Sequence, residues 1–408
     1  MTADTLFRRI TDYANRADPY PLYAELREHG VARQDDGKYL VGTYYEIAAL
    51  LHDPRISSDR RNRTVLTDDL SNEAAGTPLG FIHLDDPEHE RLRNIAMRPF
   101  GPPHSPGRID AMHDEITAIA RQLTNALQGR NRIDLVEDFA YPLPVAVICR
   151  LLGVPREDEP RFHAWSEAVI AGLDPTPDSD PAERQRAGGT AQIAMGEYLG
   201  ELAEKRRGKL SDDMLSGFIN DPGPEGSFTS SELMSTAVLL LIAGHETTVN
   251  LITNGMLTLL RHPEALDLLR RKPELMPWAV EELLRYEPPV QMLQSRTPLA
   301  DVEVAGVSVP KGAPLILVLA SGNRDARRFH EPNRFDPTRR DNQHFGFGSG
   351  VHSCFGAPLA RIEAQIALVE LTRRLENPRL VRDPPPYRRT PVLRGPRHLP
   401  IDIDGLRA

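Results

Sequence analysis

A cysteine set among glycines is the residue of this sequence with the clearest capacity for chemistry. Cys354 lies in the segment 347–356, whose sequence is Phe-Gly-Ser-Gly-Val-His-Ser-Cys-Phe-Gly, and an apolar helical pattern starts near Ala357. A cysteine thiolate binds metals, and the backbone N–H groups at the start of a helix stabilise an anion placed there. The type and position of Cys354 therefore indicate a metal ligand. The alternative is a buried structural cysteine on a glycine-rich turn.

The residues around Cys354 suit a sulfur ligand that faces a flat molecule. His352 is placed to face an anionic group on such a molecule, and Phe347 and Phe355 are placed to shield the sulfur. Glycines allow positive φ and let the backbone pass close to a ligand. The glycines in question are Gly348, Gly350 and Gly356. They do not form a phosphate-binding loop, because no Lys-Ser or Lys-Thr pair follows them.

A long apolar segment carries an acid and an alcohol at its centre. Residues 233–260 are apolar nearly all round, which predicts a helix that crosses the core. Gly244, Glu246 and Thr247 lie mid-helix, where these residue types are poor choices. A carboxyl group beside a hydroxyl can deliver protons to a reacting group. The alternative is a polar packing position whose hydroxyl bonds back to its own helix. A zinc-protease site is excluded, because residue 249 is valine and His245 lacks its second histidine.

Cationic side chains form a further candidate site. His89 and Arg93 are four residues apart, so they share one face of a predicted helix. Two donors on one face can clamp a carboxylate. Taken alone, however, these two residues are better explained as a solvated basic face. Arg296 precedes strand-like segments and is explained equally well as a surface cation.

Composition limits the classes of protein that this chain can be. The net charge is 49 − 58 = −9 over 408 residues, which argues against a nucleic-acid partner. Apolar runs fall short of the ~20 residues of a membrane span, and residues 1–4 do not begin a signal peptide. We therefore expect a cytoplasmic protein without a membrane anchor. Two cysteines make no disulfide framework, and Cys149, in an apolar run, is expected to be a core residue.

Four separated motifs resemble those of the cytochrome P450 family and occur in the same order. Residues 347–356 resemble its haem-binding loop, Phe-x-x-Gly-x-His-x-Cys-x-Gly. The others are His-x-x-x-Arg at 89–93, Ala-Gly-x-Glu-Thr-Thr at 243–248 and Glu-x-x-Arg at 282–285. The resemblance covers nearly the whole chain. It implies one P450 domain over residues 1–408, mainly α with a small β region, with haem between the long central helix and the cysteine loop.

The same resemblance implies roles for individual residues. Thr247 would donate a hydrogen bond during oxygen activation, Glu246 would relay protons, and Gly244 would leave room for dioxygen. Haem b would be the cofactor and Cys354 its iron ligand, with propionates bound by cationic side chains. The cofactor-binding residues implied are Cys354, His89, Arg93, Arg296, His352, Phe347, Gly348 and Gly356.

The predicted reaction is the hydroxylation or epoxidation of a hydrophobic small molecule, with dioxygen as co-substrate. The sequence has no flavin or nicotinamide fingerprint and no iron–sulfur cysteine cluster. Electrons from NAD(P)H would therefore come through separate redox proteins, a ferredoxin and its reductase. We expect a monomer. Three alternatives stay open: a peroxide-driven peroxygenase, which would not need Glu246 and Thr247, an enzyme of oxidative coupling or ring formation, and a haem-thiolate sensor.

The substrate is predicted only by class. Similar proteins tailor macrolides, other polyketides or terpenoids, which is an analogy at the level of the fold. Pocket walls are expected from residues 60–85 and 165–180, from the centre of the long helix and from two later segments. The named pocket residues are Phe81, Ile82, Ala243, Val290, Leu293, Val392 and Leu393.

A predicted ion-pair network supports the cysteine loop rather than the chemistry. Glu282 and Arg285 are three residues apart on a predicted helix and can pair. By resemblance, Arg334 closes this network. A hairpin is expected over residues 300–310, followed by a second apolar strand-like run at 313–320. Helices are predicted at 18–27, 44–51, 108–128, 141–152, 160–171, 183–207, 233–260, 273–286 and 359–375.

Overall fold

The computed structural model describes residues 5–64, 80–101, 105, 107–173, 180–209 and 211–407. About 53% of the chain is helical, which confirms a mainly α fold with a small β region. The helices are α1 (Leu6–Thr11), α2 (Tyr20–His29), α3 (Tyr44–His52), α4 (Glu88–Met97), α5 (Arg108–Ala111), α6 (His113–Asn125), α7 (Pro142–Leu152), α8 (Glu159–Leu173), α9 (Pro181–Glu204), α10 (Met214–Asn220), α11 (Ser230–Arg261), α12 (Pro263–Arg271), α13 (Met276–Tyr286), α14 (Leu319–Gly322) and α15 (Ala357–Arg374).

The strands are short, and they form one five-stranded sheet and three smaller ones. They are β1 (Val31–Arg33), β2 (Tyr39–Val41), β3 (Ile56–Ser57), β4 (Arg132–Asp134), β5 (Leu293–Pro298), β6 (Val302–Val304), β7 (Val307–Val309), β8 (Leu315–Leu317), β9 (Leu375–Glu376), β10 (Arg379–Leu380), β11 (Pro400–Asp402) and β12 (Gly405–Leu406).

The described residues group into two compact units. The first unit draws on Met1–Glu73, Leu123–Ala140 and Thr247–Ala408, and the second on Ala74–Gln122 and Tyr141–Glu246. Helix α11 contributes its first half to the second unit and its second half to the first. Whether the whole chain folds as one domain stays a prediction.

The five-stranded sheet of the first unit is buried on both faces. Its strand order is β1-β2-β8-β5-β3, and only the β2–β8 pair is parallel. Side chains alternate along a strand. Tyr39 and Val41 of β2 therefore join one apolar cluster with Phe345, while Leu40 joins another with Ile316. Phe345 places the segment that precedes the cysteine loop against this sheet.

The hairpin predicted in the first unit is confirmed. Strands β6 and β7 form the hairpin expected over 300–310, and its two turn residues, Ala305 and Gly306, have positive φ of 50° and 78°. A further hairpin lies in the C-terminal part of the chain, where Tyr387 pairs with Pro396. Near its tip, Leu393 pairs with Val290.

Helix α11 confirms the expected core helix. A capping box precedes its first turn, since the Thr229 N–H donates to Glu232 Oε2 (2.7 Å) and the Glu232 N–H donates to Thr229 Oγ1 (3.3 Å). By length and composition this helix is apolar enough to cross a membrane. However, 61% of its most apolar 18-residue stretch is buried, as in the core helix of a water-soluble protein.

In the second unit, α8 packs along α9. At Gly188 of α9, an added Cβ would lie 3.4 Å from the Ala168 carbonyl oxygen, so glycine lets the two helices approach closely. The predicted helices at 160–171 and 183–207 correspond to α8 and α9. The loop between them, part of the pocket wall expected over residues 165–180, lies largely outside the described residues.

Candidate functional site

The cysteine loop is a series of tight turns that ends at the start of α15. The Cys354 N–H donates to the Phe347 carbonyl (2.8 Å), and the Gly348 N–H donates to the Phe345 carbonyl (2.9 Å). Gly348 and Gly350 have positive φ of 65° and 72°, as predicted. These turns present the exposed Cys354 ahead of the N-terminus of α15.

Gly350 and Gly356 differ from each other in a way that the sequence did not show. A Cβ at Gly350 would lie 2.2 Å from the Leu51 carbonyl oxygen, so only glycine fits there. Gly356 has φ of −83°, and no heavy atom lies within 4 Å of a Cβ added to it. The expectation of positive φ at Gly356 is therefore wrong, because this residue already has a φ that any residue adopts as it leads into α15.

The chemistry of the available donors fits a haem group. Among the residues that the structure describes, no cluster of three or more His, Cys, Asp or Glu side chains could hold a metal ion. A metal bound by the sulfur of Cys354 must therefore bring most of its own ligands, and a porphyrin provides four. The second cysteine, Cys149, is buried, and burial raises the pKa of its thiol to about 12. Cys149 is thus the inert core residue that was predicted.

The predicted propionate-binding residues lie in both units. Arg296, on β5, is 8% exposed, and it belongs to the same unit as His352 and Cys354. A largely buried guanidinium does not fit the alternative of a surface cation. His89 and Arg93 lie on α4 in the second unit.

His89 is held in a fixed orientation. Its ring is 2% exposed, Nδ1 lies 3.0 Å from Asp86 Oδ1, and the ring packs 6.3 Å from that of Phe81. A buried histidine oriented by a carboxylate does not fit the alternative of a solvated basic face.

The acid and the alcohol of α11 are consecutive residues of an unbroken helix. Glu246 is 3% exposed and Thr247 is half-buried. A Cβ at Gly244 would make only ordinary contact, 3.7 Å from Ile148 Cδ1, so packing within its unit does not require glycine at this position. His245 is fully buried, and its ring stands edge-on to that of Tyr141 at 4.3 Å.

The predicted pocket residues fall into two groups. Phe81, Ile82 and Ala243 belong to the second unit, and Ile82 is 40% exposed. In the first unit, the pairing of Val290 with Leu393 is extended by the Gln291 N–H, which donates to the Val392 carbonyl (2.8 Å). Leu293 begins β5, two residues beyond this pairing. Part of each predicted wall, residues 65–79 and 174–179, lies outside the described residues.

The ion-pair network at Glu282 exists, but with a different third arginine. Glu282 and Arg285 are fully buried and form two hydrogen bonds of 2.7 and 2.8 Å. Arg339 Nε also donates to Glu282 Oε2 (3.1 Å). The side chain of Arg334 is 65% exposed and pairs with Glu331, so the prediction that it closes the network is wrong. Arg334 contributes its backbone carbonyl, which accepts from Arg285 (3.1 Å).

A cysteine just before a helix N-terminus and a core helix with a mid-helix acid–alcohol pair are the features expected of a haem-thiolate protein. The family model named Cytochrome P450 matches residues 38–399. The chain is 40% identical to the cytochrome P450 monooxygenase PikC of Streptomyces venezuelae over 397 residues, which cover 94% of this chain and 91% of PikC. It is 36% identical to the 6-deoxyerythronolide B hydroxylase of Saccharopolyspora erythraea over 406 residues, which cover 95% of this chain and 96% of the hydroxylase.

Solved structures agree with these sequence matches. Ligand-free CYP164A2 of Mycobacterium smegmatis superposes with a TM-score of 0.86 at 38% identity, over 98% of this chain and 99% of the other. The chain therefore belongs to the cytochrome P450 family. It is a monooxygenase that uses haem b, dioxygen and electrons from NAD(P)H delivered by redox partner proteins.

Sequence reasoning missed three residues next to the cysteine loop. Glu281, His344 and Arg361 form a hydrogen-bonded group beside Phe347. The available signal was the acidic pair 281–282, of which only the second member was interpreted. Arg339 was missed for a different reason: Arg334, which lies in the same loop, was assigned the third position of the ion-pair network.

Proposed function

We propose that this chain hydroxylates or epoxidises a hydrophobic small molecule of the macrolide, other polyketide or terpenoid class. The observation that carries the proposal is the turn structure that presents Cys354 at the start of α15. The substrate class is supported by relatives of full length, one of which is named as a hydroxylase of 6-deoxyerythronolide B. Another relative, 37% identical, is named as a vitamin D(3) 25-hydroxylase, which agrees with a bulky hydrophobic substrate.

Cys354 would hold the haem iron, and cationic residues would hold the propionates. Bound haem supplies the oxidising chemistry of the family. The burial of Arg296 and its place in the same unit as Cys354 support its role as a propionate donor, because a solvated surface cation would not be 8% exposed. The Asp86 contact at Nδ1 orients His89, so that Nε2 is the nitrogen with which this ring would contact a propionate. His352 and Arg93 complete the proposed set, with Phe347, Gly348 and Gly356 shaping the cofactor-binding loop.

Glu246 and Thr247 would hold and transfer the protons that the reaction consumes. Cleavage of dioxygen to water consumes protons, which a positioned side chain can deliver. The Glu246 carboxyl would hold a proton, and the Thr247 hydroxyl would pass it on by donating a hydrogen bond. Gly244 would leave space for dioxygen beside them, in agreement with the absence of a packing reason for glycine in its own unit.

The proposals for the electron donors, the cellular location and the oligomeric state go beyond what membership of the family requires. A ferredoxin and a ferredoxin reductase would supply the electrons, and the protein would act as a cytoplasmic monomer. These proposals rest on the lack of flavin, nicotinamide and iron–sulfur motifs in the sequence and on the lack of a disulfide framework.

Turnover with isotopically labelled dioxygen tests the proposal. The purified protein, a surrogate ferredoxin pair and NADPH are incubated with a panel of macrolactones and sterols. We expect one substrate to yield a product with a single labelled oxygen atom. A coupled or cyclised product without label would support the ring-forming alternative. Turnover with peroxide but not with the ferredoxin pair would indicate a peroxygenase, and ligand binding without product would indicate a sensor.

A further inference from the structure

Two consecutive glutamates of α13 bind different segments of the chain. Glu282 accepts hydrogen bonds within the network of Arg285 and Arg339. Glu281 faces away from that network and binds His344 and Arg361, which lie before and after the cysteine loop. Since consecutive helical residues point about 100° apart, the two carboxylates can serve separate partners. Of these two glutamates, Glu281 is the one bonded to both sides of the loop that carries Cys354.

The ion pair between Glu281 and Arg361 is a two-point contact. Arg361 Nε donates to Glu281 Oε1 (2.7 Å), and Arg361 Nη2 donates to Glu281 Oε2 (3.0 Å). Planar contacts of this kind fix the orientation of the guanidinium. Burial raises the pKa of the Glu281 carboxyl, but hydrogen bonds from His344 and Arg361 and the charge of Arg361 outweigh burial and bring the pKa to about 2. Glu281 is therefore a full negative charge at neutral pH.

His344 binds Glu281 through a defined tautomer. The backbone N–H of Gly346 donates to Nδ1 of His344 (3.0 Å), so Nδ1 is an acceptor and the ring proton lies on Nε2. Nε2 is 3.2 Å from Glu281 Oε2 and donates to it. A Cβ at Gly346 would lie 2.8 Å from the Leu284 carbonyl oxygen, so this segment is in close contact with α13.

Arg361 is the cation of this group, and it lies against the cysteine loop. Its guanidinium lies 4.5 Å from the centre of the Phe347 ring, and the carbonyl of Phe347 accepts the hydrogen bond from Cys354 N–H. Hydrogen bonding to Glu281 raises the pKa of Arg361, and the charge of Cys354 adds a smaller contribution in the same direction. Arg361 therefore places a positive charge against Phe347 of the cysteine loop, and the bound Glu281 carboxylate partly neutralises that charge.

We infer that Glu281 and Arg361 are positioning residues that set the electron-donating strength of the Cys354 sulfur by balancing one positive against one negative charge beside it. The inference rests on the proposed role of Cys354 as haem ligand. Unneutralised positive charge near a redox centre stabilises the reduced form, and unneutralised negative charge stabilises the oxidised form. Removing one partner should therefore shift the reduction potential of the holoenzyme in a direction that depends on which partner is removed.

The test is a spectroelectrochemical titration of the purified holoenzyme and its variants. We expect a more positive potential for Glu281→Gln, a more negative potential for Arg361→Gln, and a value near that of the unmodified protein for the double variant. Arg361→Lys keeps the charge and should stay close to the unmodified protein. Glu370→Gln and Arg374→Gln are matched controls, since this ion pair (3.3 Å) lies further along α15.

Shifts of the same sign for Glu281→Gln and Arg361→Gln would overturn the inference, because a purely structural loss affects both variants alike. Shifts no larger than those of the two controls would also overturn it. If Glu281→Gln does not fold, the comparison of Arg361→Gln with Arg361→Lys still decides, and equal potentials for these two would contradict the inference. A normal thiolate spectrum in the unmodified protein, recorded first, separates any such failure from a failure of the proposed role of Cys354.

Discussion

Glu282 and Arg285 lie one turn apart on α13 and form a fully buried two-point ion pair, with hydrogen bonds of 2.7 and 2.8 Å. Arg285 also donates to the backbone carbonyls of Asn323 (3.0 Å) and Pro332 (2.7 Å). A buried ion pair is costly to desolvate, so it is retained where its further hydrogen bonds fix a structure. Here it fixes the segments that lead into the cysteine loop.

Arg334 and Arg339, in the loop before the cysteine, should differ sharply in how much replacement by alanine lowers the free energy of unfolding. Arg339 donates to Glu282, and its side chain is 12% exposed, whereas that of Arg334 is 65% exposed. Arg339→Ala should lower the free energy of unfolding by about 2 kcal/mol, because it removes a charged hydrogen-bond donor from a buried acceptor. Arg334→Ala should change it by less than about 0.5 kcal/mol. Urea denaturation of the two variants measures this difference, and equal losses would contradict the assignment.

Alanine substitutions at the loop glycines should form a graded series. Gly350→Ala combines positive φ with a contact of 2.2 Å to the Leu51 carbonyl oxygen, so we expect loss of haem incorporation. Gly348→Ala meets only the positive φ of 65°, which costs about 1–2 kcal/mol. Gly356→Ala should leave the fold of the loop intact, since its φ is −83° and no protein atom lies within 4 Å of the added Cβ. Haem content and thermal midpoint of each variant are the measurements, and a Gly356→Ala protein as damaged as Gly350→Ala would refute the order.

Glu363 gives the folded protein a pH dependence. This residue of α15 is buried, its Oε2 has no hydrogen-bond partner among the described residues, and burial raises the pKa of its carboxyl from 4.5 to about 8. The folded chain holds the proton while the unfolded chain releases it. The contribution of this pKa difference to the free energy of unfolding is fully present below pH 4.5 and is lost as the pH rises to about 8.

Glu363→Gln should remove this dependence. At pH 7 the variant should be more stable than the unmodified protein by up to about 3 kcal/mol, since each pKa unit corresponds to about 1.4 kcal/mol. Near the ordinary pKa of a glutamate the two should be equal. Denaturation midpoints recorded across this pH range give the comparison, with Glu370→Gln on the same helix as control. Parallel curves for Glu363→Gln and the unmodified protein would show that this carboxyl does not titrate on unfolding.

Thr247→Ala should uncouple electron consumption from product formation. Loss of the hydroxyl leaves haem and substrate binding unchanged but removes the proposed proton donor, so electrons should be lost to hydrogen peroxide. The ratio of product to NADPH consumed, with peroxide assayed in parallel, is the measurement. Thr248→Ala removes the next hydroxyl along α11, on a different side of the helix, and serves as the control. A fully coupled Thr247→Ala enzyme would exclude the proposed role.

Features that depend on local sequence were predictable. The capping box before α11 and the turn at Ala305 and Gly306 each follow from residue types a few positions apart. Pairings between distant segments were not: β2 pairs with β8, some 275 residues further along the chain, and most strands have three residues or fewer. Such short strands carry too little alternation to be recognised.

There is a physical reason why Arg339 binds Glu282 in place of the predicted Arg334. Both arginines lie in one loop, and a turn at Asp336 decides which of them points back to α13. The Asp336 N–H donates to Glu282 (2.9 Å), while Asp336 Oδ1 accepts from the Thr338 N–H (2.9 Å) and its carbonyl accepts from the Arg339 N–H (3.0 Å). Motif spacing gives residue types along the chain, but it does not give the direction in which a turn sends the next side chain.

The carbon monoxide difference spectrum of the reduced protein tests the central claim most directly. If Cys354 is the thiolate ligand of a haem iron with an open opposite side, the Soret band should be strongly red-shifted, and Cys354→Ser should abolish that band. A Soret band at the position of imidazole-ligated haem would contradict the account, because it would mean that histidine or a protonated thiol is the ligand. Failure of the purified protein to bind haem would contradict it altogether.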